Sequence, residues 1–356
     1  MTRTTIVTLL AICVPGASLF AQEGTEVPKG ATPLFSSNET LELTLIGPFD
    51  EVFKDRGQES EDHPGWVAYR TSDGAYDTLE VEIRTRGKFR LNRSICSFPP
   101  LHVRFPRKKA EGTLFRDQGR IKLVTHCRTG NDTYEQYVLK EHLAYRVFNA
   151  FTDLSFRVRL ARITYVESEK DDEPITHYGF FIEDKDEVAA RNGHEVVEVP
   201  RVPPLSHDQP HLSLVEVFEY LIGNTDWDAF RVAAEEEECC HNTKNVGSLH
   251  GPVYAVPYDF DWSGLVNARY ARPDPSIGTR SVRDRVYRGI CRPDDLLERT
   301  LEIFVAKRDT LYALVRDQEG LEDRELERAL EYLDDFYEII TDPRKAKREM
   351  ADRCRG

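Results

Sequence analysis

The chain has 356 residues and carries 48 Lys and Arg against 62 Asp and Glu, a formal net charge of −14. That acidity argues against a nucleic-acid partner, and it would repel a polyanion such as ATP unless the binding site is locally basic. Hydrophobic content of 40%, with 18 Phe and 15 Tyr, can fill a sizeable core, and the length is comfortable for two lobes.

Arg3, the apolar run from Ile6 to Val14, the break at Pro15-Gly16 and the small residues around Ala17 to Ala21 read as an export signal (1–21) cleaved near Ala21. The run is too short to cross a bilayer, which takes about 20 helical residues. Ile12 fits poorly before a lipoprotein Cys13, so simple secretion is expected, and no later stretch is apolar enough for a membrane helix. Without Cys13 an even set remains: Cys96, Cys127, Cys239, Cys240, Cys291 and Cys354. In an exported chain that suggests disulfides. If the strands flanking Cys96 and Cys127 are neighbours their sulfurs can meet, which leaves Cys291 and Cys354 as candidates for a bridge tying down the C-terminus.

Residues 22–40 are rich in Glu, Gly, Pro, Thr and Ser and read as a linker. Alternating apolar positions predict strands at Leu41–Ile46, Trp66–Arg70, Leu79–Arg86, Leu101–Phe105 and Ile121–Thr125. The third of these strands ends in a basic bend, Arg86-Gly87-Lys88-Phe89-Arg90. A helix at about Tyr134–Phe151 puts Tyr137, Glu141, Ala144, Tyr145 and Phe148 on one face, and a carboxylate there must find a partner. Strands follow at about Arg159–Glu167 and Ile175–Ile182. Four prolines between Pro200 and Pro210 separate this part from a helix that begins near His211. Residues 267–292 read as irregular and basic, with seven Arg. Helices at about Pro293–Arg316 and Glu322–Ile340 close the chain. The order predicts an α+β protein of two segregated parts, a strand-rich lobe at 41–183 and a mainly helical lobe at 184–345, with a tail at 346–356. A ligand would bind in the cleft between them.

The most informative stretch is 211–263. Its helix runs into Gly223-Asn224-Thr225-Asp226-Trp227-Asp228, and a short strand at Pro252–Pro257 is followed by Tyr258-Asp259-Phe260-Asp261-Trp262. Carboxylates on loops at element ends are the oxygen donors that hard cations prefer, and they match the parts needed for phosphoryl transfer.

These two segments resemble the spore-coat protein H (CotH) kinase family of atypical, protein-kinase-like enzymes. Arg86-Gly87 and Tyr178-Gly179-Phe180-Phe181-Ile182-Glu183 are similar to further family segments, so the likeness spans roughly 75–265. A related pair of Asp segments also occurs in HipA-type kinases. The resemblance implies a two-lobed protein-kinase-like fold, ATP with Mg²⁺ or Mn²⁺, and transfer of the γ-phosphoryl to a hydroxyl, Ser or Thr of a protein substrate. It implies that Asp226 orients the substrate hydroxyl, that Asp259 binds metal, and that Asp261 adds a ligand. Lys122, with Arg104 as runner-up, would meet the nucleotide phosphates and pair with Glu141. The Arg86–Arg90 bend, including Lys88, would cover the phosphates, and Glu183 would lie near the lobe hinge.

The pattern also departs from that of ordinary kinases. Arg231 stands where they carry a metal-binding Asn, so Asn242, or else Asn245, would take that role after an insertion containing Glu235–Glu238. No Gly-x-Gly-x-x-Gly loop is present. The rival expectation is a non-catalytic pseudokinase-type module that binds a protein or a cell-surface glycan. A third is a secreted hydrolase with Asp226 and Asp259 as paired carboxylates.

Overall fold

A computed structural model describes residues 30–57, 60–71, 74–231, 239–248, 250–292 and 294–356. The expected export signal, the Glu235–Glu238 insertion and Pro293 lie outside the described residues. Among them, seven strands form one sheet: β1 (Leu41–Gly47), β2 (His63–Arg70), β3 (Tyr76–Thr85), β4 (Leu101–Arg104), β5 (Arg120–Val124), β6 (Val158–Glu167) and β7 (Ile175–Ile182). Their order is β1-β2-β3-β4-β5-β7-β6, and β1 pairs in parallel with β6, from Leu41 opposite Ala161 to Gly47 opposite Glu167. That pairing closes the sheet into a barrel.

Alternation decides which side chains enter the barrel. Leu41, Leu43 and Leu45 of β1 and Leu79, Val81 and Ile83 of β3 point inward, where Phe105 and Phe115 stack at 4.3 Å. Leu34 and Phe35 also belong to this core, so part of the stretch expected to be a linker is packed. Outward, Glu80 and Glu82 of β3 pair with Lys109 and Arg104.

The helices are α1 (Phe49–Val52), α2 (Arg107–Ala110), α3 (Asp132–Asn149), α4 (Lys185–Arg191), α5 (Gln209–Ile222), α6 (Asp294–Ala306), α7 (Arg308–Arg316), α8 (Asp323–Ile340) and α9 (Pro343–Glu349). A smaller sheet joins β8 (Glu195–Val196), β9 (Thr243–Gly247) and β10 (Val253–Pro257) in the order β10-β9-β8. The mixed α+β content stands, but the two-lobed kinase-like fold does not. A closed seven-stranded barrel replaces the expected strand-rich lobe. Moreover, Val124 of β5, Leu143 of α3 and Phe180 of β7 share one hydrophobic core with α5 and α8, where segregated lobes would have separate ones.

The expected helix at 293–316 is two helices, α6 and α7, meeting at Lys307. The expected tail begins inside α9, and Cys354 is bonded to Cys291. Cys96 is bonded to Cys127, and Cys239 to Cys240. No helix among the described residues is long and apolar enough to cross a membrane.

Candidate functional site

Three loops converge beside one end of the barrel. The first leaves α5, which is opened by Asp208 accepting the His211 N–H at 2.9 Å and closed by Gly223 in the left-handed region at φ 65°. A side chain at Gly223 would run into the Tyr332 hydroxyl, so both conformation and space require glycine. Asn224 then accepts the Asp226 N–H at 3.0 Å, a local turn that fixes the start of the loop. Glu219 lies fully buried beneath it beside Asn224, and burial holds its carboxyl well above the usual range.

The second loop, between Cys240 and β9, braces the first. His241 Nε2 lies 2.9 Å from Asp226 Oδ1. The Asn242 amide donates to the Asp226 carbonyl at 2.7 Å and to Oδ2 at 3.1 Å. Both carboxylate oxygens therefore have partners, yet the side chain remains 38% exposed. Asn245, the other candidate, is buried among His207, Cys239 and Cys240.

The third loop follows β10. Its Asp259 has φ 63°, and Asn242 has φ 49°, conformations that Asp and Asn tolerate better than most residues. The Tyr258 N–H donates to the Asn242 carbonyl at 3.0 Å, and the Asp259 N–H donates to the Tyr145 hydroxyl at 2.8 Å. Two left-handed residues meeting at one point mark a locally costly arrangement held by its surroundings.

Arg90, expected only as part of the bend over the phosphates, sits instead among three carboxylates. Its guanidinium lies 3.4 Å from Glu141, 3.3 Å from Asp259 and 3.5 Å from Asp261. Glu141 and Asp261 are almost fully buried, whereas Asp259 is 34% exposed. Burial pushes the Glu141 carboxyl up to about 8 and that of Asp261 up to about 6, against the pull of Arg90. The partner required by Glu141 is thus Arg90, and Lys122 makes no ion pair with it. The only signal for Arg90 was its place in a basic bend, shared with Arg86 and Lys88.

The basic half of the site adjoins this carboxylate group. Lys122 of β5 and Lys244 of β9 approach the Tyr258 ring at 5.0 and 5.8 Å from its centroid. Among the described residues, Arg86, Lys122 and Lys244 form no ion pair with a carboxylate. Burial, together with the positive charge of Arg86 and Lys244, lowers the Lys122 ammonium to about 8, while Asp184 and Asp259 work in the other direction. Arg86 is lowered by burial too. Crowded cations that no carboxylate pairs directly are a place for an anion.

The remaining expectations fall elsewhere. Arg104 is exposed on β4 and pairs with Glu82. Lys88 is exposed on the bend. Glu183, at the end of β7, is buried and binds Arg191 at 2.9 Å and the Arg157 N–H at 2.9 Å, so its oxygens hold the chain together. No protein-family model matches this chain, and no curated protein does.

Proposed function

We propose that this chain is an exported phosphotransferase that binds ATP with Mg²⁺ or Mn²⁺ and transfers the γ-phosphoryl to a Ser or Thr hydroxyl of a protein. The observation that carries this reading is the nearness of the two halves of the site. Arg86, Lys122 and Lys244 form a cationic group beside Asp259, whose charge acts on both Arg86 and Lys122. Such a site can take a phosphate chain in a protein whose net charge of −14 would otherwise repel it. The barrel fold is no objection, because this chemistry belongs to a site and not to a scaffold. Three disulfides fit an oxidising compartment.

Asp259 and Asp261, with the Asn242 amide oxygen, supply the hard oxygen donors that would hold the cation. Among the described residues no three His, Cys, Asp or Glu side chains gather as a ready-made metal site. That suits Mg²⁺, which is commonly held by one or two carboxylates and completed by substrate phosphates and water. When bound, the cation neutralises charge on the phosphates.

The protein's own residues do the rest. Lys122 and Arg86 orient the phosphates, and Lys244 closes the cationic group across Tyr258. Asp226, held by His241 and Asn242, presents an exposed carboxylate to the incoming hydroxyl. That oxygen forms a bond to the γ-phosphorus as the bond from phosphorus to the bridging oxygen breaks; the proton passes to Asp226 and ADP leaves. Holding Asp226 from two sides removes freedom that would otherwise be lost at the transition state.

A non-catalytic binding module is the second reading, and Arg90 is what favours it. Its guanidinium already compensates Glu141, Asp259 and Asp261, so an anion could bind with no metal. Calorimetry with ATP, with and without Mn²⁺, run beside label transfer from γ-labelled ATP, separates the two. Metal-dependent binding with transfer supports the phosphotransferase. Equal binding in chelator, with no transfer, assigns the module.

A further inference from the structure

The basic segment at 267–283 plays no part in that chemistry, yet it lies directly beside it. Gly264 N–H donates to the Gly223 carbonyl at 3.0 Å and Leu265 N–H to the Ile222 carbonyl at 2.9 Å, tying this segment to the loop of Asp226. Tyr270 lies beside Asp261. One hydrophobic cluster, including Cys96, Cys127, Tyr134, Val266 and Tyr270, gathers this segment with the two chain stretches joined by the Cys96–Cys127 bridge.

Around that cluster stand Arg93, Arg128, Arg269, Arg272, Arg280 and Arg283. None of the six is in an ion pair among the described residues. The guanidinium groups of four are held instead by partners that orient without neutralising. Arg93 donates to the Phe53 carbonyl at 3.2 Å, Arg128 to Ile95 at 2.8 Å and Arg272 to Arg269 at 2.9 Å, while Arg283 lies 4.7 Å from the Tyr332 ring centroid. Of the nearby acids, Asp274 accepts the Ser276 N–H at 2.9 Å, and Asp284 accepts the Arg280 and Ser281 N–H groups at 2.7 and 2.9 Å while its charge also acts on Arg280. An acidic protein thus keeps, among its described residues, a rim of six arginines without ion pairs next to its candidate site. Beside the rim, Phe89 is 43% exposed and packs against Trp262 and Tyr270.

We infer that this rim docks an acidic stretch of the acceptor protein, so that the hydroxyl offered to Asp226 is flanked by Asp or Glu; the inference rests on the phosphotransferase reading for its substrate. Complementary charge at a rim speeds and orients encounter and is sensitive to salt.

The test is fluorescence anisotropy on the intact chain, without nucleotide. The probes are a labelled Ser peptide flanked by Glu and Asp, a neutral peptide of equal length, and a heparin fragment. The acidic peptide should bind, and Arg269→Glu/Arg272→Glu/Arg280→Glu should weaken it by about tenfold or more. Arg280→Glu alone, at an exposed position, should weaken it by about threefold and covers the case in which the triple variant fails to fold. Equal binding of the neutral peptide, or acidic-peptide affinity unchanged in the variants, overturns the inference. Preference for heparin over the peptide also overturns it, because the surface would then serve a glycan. ATP affinity of the triple variant, measured separately, should stay within about twofold. Failure of the unaltered chain to bind ATP would remove the phosphotransferase reading while leaving the peptide measurement to stand or fall by itself.

Discussion

Replacing Arg90 by Met tests the electrostatic centre of the site. Three carboxylates lie within 3.5 Å of the guanidinium. With an effective dielectric constant of about 20, each such contact is worth roughly 5 kcal/mol before desolvation is subtracted. Most of that gain offsets the cost of burying the charges, but removing one partner leaves the others uncompensated, at about 3–5 kcal/mol. The loss should depend on pH. Glu141 titrates at about 8 and Asp261 at about 6 in the folded chain, both above the ordinary 4.5 and 3.8. A carboxyl raised in this way is proton-bound in the folded state while already ionised in the unfolded one. Stability therefore falls as pH rises from the ordinary value through the folded one. Without Arg90 both values rise further, so the deficit should be largest at pH 8 and shrink below about 2 kcal/mol at pH 5, where both groups are protonated. Urea unfolding of the two proteins at both pH values, without reductant, measures it. A deficit under about 1 kcal/mol at pH 8, or one equal at the two pH values, would refute the reasoning.

Lys122→Met should weaken ATP binding by about tenfold or more while leaving stability at pH 7 unchanged or higher, because a cation crowded by Arg86 and Lys244 is no longer buried; calorimetry and urea unfolding read the two effects. Glu183→Gln should cost about 3–5 kcal/mol through its buried pair with Arg191 and leave ATP affinity within about twofold; a large affinity loss at unchanged stability would return Glu183 to the nucleotide. Cys96→Ser/Cys127→Ser opens a loop of 31 residues and should cost about 3–4 kcal/mol in urea unfolding, whereas a stability equal to that of the parent would mean that the bridge constrains little.

The local elements were legible where one physical signal dominates. The Leu-Glu-Leu-Thr-Leu-Ile alternation marked β1, and the helical spacing of Tyr137, Glu141 and Tyr145 marked α3. Closure of the barrel was not legible, because nothing in either β1 or β6 announces a parallel partner across such a length of chain. β9 was missed since Thr-Lys-Asn-Val-Gly has no apolar alternation and is made a strand by pairing with β10. The junction of α6 and α7 at Lys307 carries neither Pro nor Gly and so leaves no mark. The bridges Cys96–Cys127 and Cys291–Cys354 matched expectation; the first could be inferred because adjoining strands bring the cysteines close. At the site, Asp226 and Asp259 stood out as carboxylates at element ends. The choice of Arg90 over Lys122 for Glu141 depends on how the 86–91 bend folds over α3, which residue type cannot reveal.

In the proposed phosphotransferase, Asp226 acts on the hydroxyl while Asp259 serves the phosphates. Asp226→Asn keeps the shape and a hydrogen-bonding oxygen for Asn242 but removes the charge. The decisive measurement is label transfer from γ-labelled ATP by Asp226→Asn, with metal–ATP affinity determined on the same sample. Affinity should stay within about threefold of the parent while transfer falls by about 10²–10⁴-fold. Transfer equal to that of the parent would contradict the account.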